Sequence, residues 1–178
     1  MRVYRFDKFG SLDGLTLHDE QQPEPQRGEI LLKVHAVSLN YRDIAIVTGK
    51  YVSAAQVGLV PTSDAAAEIV SVGQGVQDLK PGERVISTFH PRWFGGRMPE
   101  TVDKDVYGSG SDGWLCQYKV VSQEAVVRLP DSLSYELHDS VCGGNSLECA
   151  YGSGAHPQRT NSSYNGHGRS LYFRAPIS

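Results

Sequence analysis

The chain is 178 residues long, with a formal net charge of −3, 39% hydrophobic residues and 21% charged ones. That is enough for one packed domain, or one domain with an appendage, and too little for two domains of about 100–200 residues each. The mild negative charge argues against nucleic acid as a partner, and no apolar run approaches the roughly 20 residues that carry a helix across a membrane.

Taken in chain order, the start Met1-Arg2-Val3-Tyr4-Arg5-Phe6 lacks the apolar stretch of a signal peptide. Leu15-Thr16-Leu17-His18 alternates like a strand after the turn signal Asp13-Gly14. Glu29 to Val37 is a longer apolar run, suited to a strand buried on both faces or to a barrel wall. Tyr41 to Val47 is compatible with a helix and is stopped by Gly49. Ala67–Val72, Arg84–Phe89, Gln117–Val121 and Ala125–Leu129 read as further strands. Gly73-Gln74-Gly75 and Lys80-Pro81-Gly82-Glu83 punctuate them; in the second, Pro81 presets one turn residue and Gly82 supplies the positive φ of a type II turn. Short strands at this spacing predict a mainly β barrel or sandwich with little helix.

The composition then changes. Residues 1–136 hold 18 Asp and Glu against 14 Lys and Arg, with frequent aliphatic runs. Residues 137–178 hold only six Val, Ile, Leu or Phe but six Gly and seven Ser, too little apolar surface to offset the entropy of ordering the chain. The expectation is an ordered domain over 1–136 and a low-order tail over 137–178. Cys116, Cys142 and Cys149 form no disulfide framework and no zinc-ligand spacing, so unpaired thiols in a reducing cytoplasm are expected.

Several pieces in register carry a family resemblance. They are Val37-Ser38-Leu39-Asn40-Tyr41-Arg42-Asp43 with Gly49-Lys50-Tyr51, then Pro61-Thr62-Ser63-Asp64-Ala65-Ala66-Ala67-Glu68-Ile69-Val70, then Val72-Gly73-Gln74-Gly75-Val76 and Pro81-Gly82-Glu83-Arg84-Val85, and finally Asp112-Gly113-Trp114-Leu115-Cys116-Gln117-Tyr118 through Leu129-Pro130. Together they resemble the N-terminal domain of the medium-chain dehydrogenase/reductase superfamily. The resemblance implies a GroES-like, partly open β-barrel carrying substrate-side residues, to which a complete member adds a Rossmann domain for NAD(P)H. Zinc-dependent members place a cysteine near Asn40 and a Gly-His-Glu where this chain has Thr62-Ser63-Asp64-Ala65. Thiolate and imidazole are the ligands zinc prefers. The resemblance therefore points to the zinc-independent, quinone-oxidoreductase-like and alcohol-dehydrogenase-like branch, with no metal. The segment His90-Pro91-Arg92-Trp93-Phe94-Gly95-Gly96 resembles the latter subgroup.

Without a metal, side-chain donors must polarise the substrate oxygen. Asn40 and Tyr41 lie at a strand-to-helix turn where family members approach the nicotinamide; Asn40 either caps the helix or also serves the cofactor. Arg42 and Asp43 lie in the first helical turn, where Asp43 complements the helix dipole or, with Arg42, contacts substrate or a second domain. Tyr51 is a proton donor or pocket lid, or a packed loop aromatic. Ser63 and Asp64 line the position that zinc occupies in other branches, or form a turn before the Ala-rich strand. His90, Arg92 and Trp93 form an aromatic-basic cluster: Arg92 could reach a cofactor phosphate and Trp93 could stack on a flat ring, against the alternative of a surface loop with a buried indole. His18 and His35 are expected to be structural.

After Ser134-Tyr135-Glu136 the resemblance stops. With codons chosen freely within degeneracy, a one-base shift turns Ser140–Ala150 into PCAAATAWNA and Gln158–Ser170 into RGQTVLTTGTGGV, a strand running into the glycine loop that would hold a pyrophosphate. A frameshift near residues 137–140 is the expectation, and reading the coding DNA tests it. Two functions follow as expectations. The first is a shortened zinc-independent NAD(P)H-linked oxidoreductase domain acting on a small-molecule carbonyl, alcohol or quinone, inactive alone. The second is a non-enzymatic module binding a protein partner, or another copy, through the exposed interdomain face.

Overall fold

A computed structural model describes residues 1–51, 55–93, 97, 105–135 and 171–173. Its strands are β1 (Arg2–Phe6), β2 (Leu15–Asp19), β3 (Glu29–Leu39), β4 (Ala65–Val72), β5 (Arg84–Ser87), β6 (Tyr118–Ser122), β7 (Val126–Arg128) and β8 (Leu171–Phe173); the helix α1 spans Tyr41–Val47. β1 and β2 form an antiparallel pair, and the other strands form one antiparallel sheet in the order β6-β3-β4-β5-β7, with β8 also on β3. The mainly β, partly open architecture is the one expected from the sequence. The first strand was not: Arg2–Phe6 has only Val3 and Phe6 turned inward, too faint an alternation to announce it.

The connection from β6 to β7 makes the sheet curl. These two strands lie at opposite edges, four strand spacings apart, or about 19 Å if the sheet were flat. Yet only Gln123–Ala125 joins them, as one 3-10 turn whose four Cα steps reach at most about 15 Å. The edges must approach, and the sheet bends toward a barrel without closing.

β3 is the centre of the packing. Ile30, Leu32 and Val34 point to one face, as strand periodicity requires, and meet Ala65, Ala67, Ile69, Val85 and Trp114 in the main core. Ala36 faces the other way into a smaller cluster with Ala66, Ile86 and Leu129. A register shift between Val34 and Ala36 lets Val37 return to the main core, because an extra residue resets the alternation. Gly82 has φ +88, as the type II turn predicts.

In the segment read as a low-order tail, Leu171–Phe173 pair with Val37–Leu39. The rest of that tail, with Cys142 and Cys149, lies outside the described residues, as do Phe94, Gly95 and Gly96.

Candidate functional site

β3 passes into α1 through Asn40, which is extended (φ −109, ψ 156) while the next residues turn into the helix. Asp43, in the first turn, folds its carboxylate back so that Oδ2 accepts the Asn40 backbone N–H at 2.8 Å. Asn40 Nδ2 donates to Asp64 Oδ2 at 2.9 Å. The Ser63 hydroxyl donates to the same oxygen at 2.7 Å. One asparagine thus bridges two carboxylates, one through its backbone and one through its amide.

Burial makes this corner unusual. Asp43 is 9% exposed and Asp64 4%. Burial pushes the Asp43 carboxyl up to about 6; the Asn40 N–H and the Arg42 charge oppose the rise, and the nearby Asp64 charge adds to it. Burial also raises Asp64, against the Ser63 hydrogen bond, the Arg42 charge and the Asn40 amide. Asp43 Oδ1 and Thr62 Oγ1 are buried with no hydrogen-bond partner among the described residues. Thr62 has φ +70, a left-handed conformation costly for a β-branched residue.

A loop holds Thr62 in that conformation. A Cβ on Gly113 would lie 2.1 Å from the Thr62 carbonyl oxygen, and one on Gly108 2.6 Å from it, so only glycine lets the two backbones approach. Trp114 N–H donates to the Pro61 carbonyl at 2.9 Å. Lys119 secures the loop from β6: Nζ donates to the Asp112 and Gly113 carbonyls (2.6 and 2.9 Å) and sits over the rings of Tyr107 and Trp114. Burial lowers the Lys119 pKa.

Arg42 joins this loop to a row of aromatic rings. Its guanidinium donates to the Tyr107 carbonyl at 3.1 Å and to the Ser109 hydroxyl. It lies 5.5 Å from the Tyr51 ring and 5.2 Å from the Phe89 ring. Phe89 meets His90 edge-on at 4.7 Å, and His90 meets Trp93 edge-on at 6.0 Å. Trp93 Nε1 is buried without a hydrogen-bond partner among the described residues.

Of the residues singled out from the sequence, Asn40, Asp43, Ser63 and Asp64 come together in one hydrogen-bonded group. Tyr51, His90 and Trp93 fall along the Arg42 row beside it. Tyr41 stands apart, 81% exposed on the outside of α1, with Ile44 55% exposed one turn on. Arg92 also stands apart: its side chain is 80% exposed and paired with Asp105 at 3.6 Å. Sequence reasoning missed Thr62, Lys119 and the Tyr107–Ser109 anchor of Arg42. The glycines of Tyr107-Gly108-Ser109-Gly110-Ser111-Asp112-Gly113-Trp114 were the available signal of a close backbone approach. Among the described residues no three His, Cys, Asp or Glu side chains gather to hold a metal ion.

A curled, incompletely closed β-sheet with a polar corner at a strand-to-helix junction defines a class of GroES-like domain. The alcohol dehydrogenase GroES-like domain model matches residues 26–131, and the chain belongs to that family, within the medium-chain dehydrogenase/reductase superfamily. A zinc-type alcohol dehydrogenase-like protein of Schizosaccharomyces pombe is 32% identical over 76% of this chain and 40% of its own length. A chloroplastic quinone-oxidoreductase of Triphysaria versicolor is 29% identical over 75% of this chain and 36% of its own. A solved candidate alcohol dehydrogenase of Sinorhizobium meliloti 1021 superposes with a TM-score of 0.69 at 31% identity, over 76% of this chain and 41% of that one. The chain thus spans about two fifths of the length of these relatives.

Proposed function

We propose that this chain supplies the substrate side of a hydride-transfer site that acts on a small carbonyl, alcohol or quinone without zinc. The observation that carries the reading is Asn40, held by two buried carboxylates, its backbone N–H by Asp43 and its side-chain amide by Asp64, next in the chain to Arg42 and its aromatic row. A held amide can orient a substrate oxygen, and the aromatic row offers flat surface to a ring or alkyl group. The alcohol dehydrogenase-like and quinone-oxidoreductase relatives favour the same chemistry. Asn40, Ser63 and Asp64 offer amide, hydroxyl and carboxylate, and neither thiolate nor imidazole, which does not match the usual donors of catalytic zinc.

NAD(P)H is the cofactor this reading implies, and when bound it supplies or accepts the hydride. The corner offers its nicotinamide end Asn40 as a polar contact. It does not suit the pyrophosphate, because α1 follows β3 through Asn40 with no glycine loop between them. The chain by itself therefore binds a small substrate weakly and NADPH not measurably.

The test is amide and side-chain NMR of the purified protein during titration with tetramethyl-benzoquinone and with cyclohexanone. Shifts concentrated on Asn40, Tyr51, Ser63 and Trp93, and weakened in Asn40→Ala, are expected. Shifts elsewhere, or none at millimolar ligand, would overturn the reading.

A second reading rests on Tyr41 and Ile44, which share one outward face of α1. In it the domain is a non-enzymatic module that docks a protein, or another copy of itself, through that face. Tyr41→Ser with Ile44→Ser would then abolish association and leave the quinone titration unchanged.

A further inference from the structure

One edge of β3 is covered by β6 only in part. β6 reaches Lys33 with Tyr118, and the Gln117 carbonyl accepts the Val34 N–H at 3.0 Å. Beyond that point β6 no longer pairs with β3. The residues of a strand turn their N–H and C=O groups alternately to its two edges. The register shift between Val34 and Ala36 resets that alternation. The Ser38 N–H then donates to the Asp64 carbonyl at 3.3 Å, on the β4 side, so Val37 and Leu39 turn their polar groups to the edge that β6 has left. β8 fills that stretch, with Phe173 opposite Val37, Tyr172 opposite Ser38 and Leu171 opposite Leu39. By the same alternation the Val37–Phe173 and Leu39–Leu171 pairs exchange hydrogen bonds, and Tyr172 turns its N–H away from β3.

The Leu39–Leu171 pair is the one that bears on the site. The Leu39 carbonyl and the Asn40 N–H belong to one planar trans peptide unit and point in opposite directions. Asp43 Oδ2 holds the N–H end at 2.8 Å. β8 holds the carbonyl end.

We infer that β8 completes the site: Leu171–Phe173 is a strand clamp that fixes the Leu39–Asn40 peptide unit, and with it Asn40, for substrate. Only the last step, toward substrate, rests on the substrate-side reading of this corner. β8 is a positioning element that acts through Asn40, and the Val37–Leu39 edge is an acceptor for extended chain whose occupant is this chain's own Leu171–Phe173. The pairing is three residues long, and residues 136–170 lie between it and Tyr135. So short a ladder is marginal by itself. The covalent tether maintains it by raising the local concentration of the strand. Without β8, Val37 and Leu39 would present an unpaired edge, and Asp43 alone would hold the peptide unit.

The experiment is amide hydrogen exchange and side-chain NMR on the full chain. The Val37 and Leu39 N–H groups should be protected, and Leu171→Pro, which removes a ladder donor, should speed their exchange about tenfold or more. The Val34 and Ser38 N–H groups, bonded to Gln117 and Asp64, should keep their rates. Leu171→Pro should also shift the Asn40 backbone and side-chain NH2 signals and weaken cyclohexanone binding several-fold. Tyr172→Pro loses only an outward N–H and should leave all of these as they are. A synthetic peptide spanning Gly168–Pro176, added at millimolar concentration to the Leu171→Pro chain, should return the Leu39 protection and the Asn40 signals toward their original values. Val37 and Leu39 amides that exchange equally fast with and without Leu171→Pro, Asn40 signals that ignore the variant, or no recovery with the peptide would overturn the inference. Failure of the quinone and ketone titrations with the Leu39 and Asn40 responses intact would overturn the substrate reading alone.

Discussion

In the sheet interior Ile30, Leu32, Ile69 and Val85 are sealed from solvent among chiefly apolar neighbours. At the corner where β3 meets α1, Thr62, Ser63 and Asp64 are buried as well, yet two buried oxygens there lack hydrogen-bond partners among the described residues, one backbone is left-handed and the Asp64 charge adds to the raised proton affinity of Asp43. The first region follows the ordinary rule that apolar surface leaves water. The second runs against it and is held in place by its neighbours: the Gly108 and Gly113 approach, the Lys119 clamp and the Arg42 anchor. Buried polarity of this kind, kept at a cost in stability, is where ligand chemistry is to be sought.

The contrast can be broken from either side. Ile69→Ala, which empties part of the interior, should cost about 2–5 kcal/mol in urea unfolding while leaving the Asn40 side-chain signals where they are. Gly113→Ala should cost about 1–3 kcal/mol, since its Cβ would press on the Thr62 carbonyl, and should shift the Ser63 and Asp64 resonances as well. A loss of stability with an unmoved corner would show that the loop does not hold Thr62.

Asp43→Asn should act in the opposite direction. The Asp43 carboxyl is raised from 3.8 to about 6 on folding, so the folded chain binds the proton more tightly than the unfolded one. Its contribution is fully present below about pH 4 and is lost as pH rises through about 6. Removing the charge should therefore stabilise the protein near pH 7 by about 1–2 kcal/mol and flatten the decline between those limits. Unfolding midpoints measured at pH 4 and pH 7 check this. A variant less stable at both would mean that the Arg42 charge outweighs burial.

The interior was legible in the sequence because it obeys a period. The run Glu29–Val37 and the helix Tyr41–Val47 show as patterns of apolar residues, and Gly82 marks its turn by itself. The polar corner was legible only as residue types at the right places. That the Asn40 amide would donate to Asp64 depends on a contact across 24 positions, which no local pattern carries. Lys119 lies in the run Gln117–Val121, which reads only as a strand. Its inward role exists only because the 107–114 loop brings two carbonyls and two rings to it. Arg92, prominent among the sequence candidates, is an exposed ion-pair partner.

The central place of β3 also has a kinetic side. It pairs with β4 along most of its length, but its other edge waits for β6, which begins at Tyr118, long after β3 ends at Leu39. Contacts that distant along the chain slow folding, because loop closure must precede the contacts that reward it. During synthesis the run Ile30-Leu31-Leu32 emerges early and stands with one unpaired edge until Val120 and Val121 arrive. The strand that organises the folded domain is for that interval its most aggregation-prone segment.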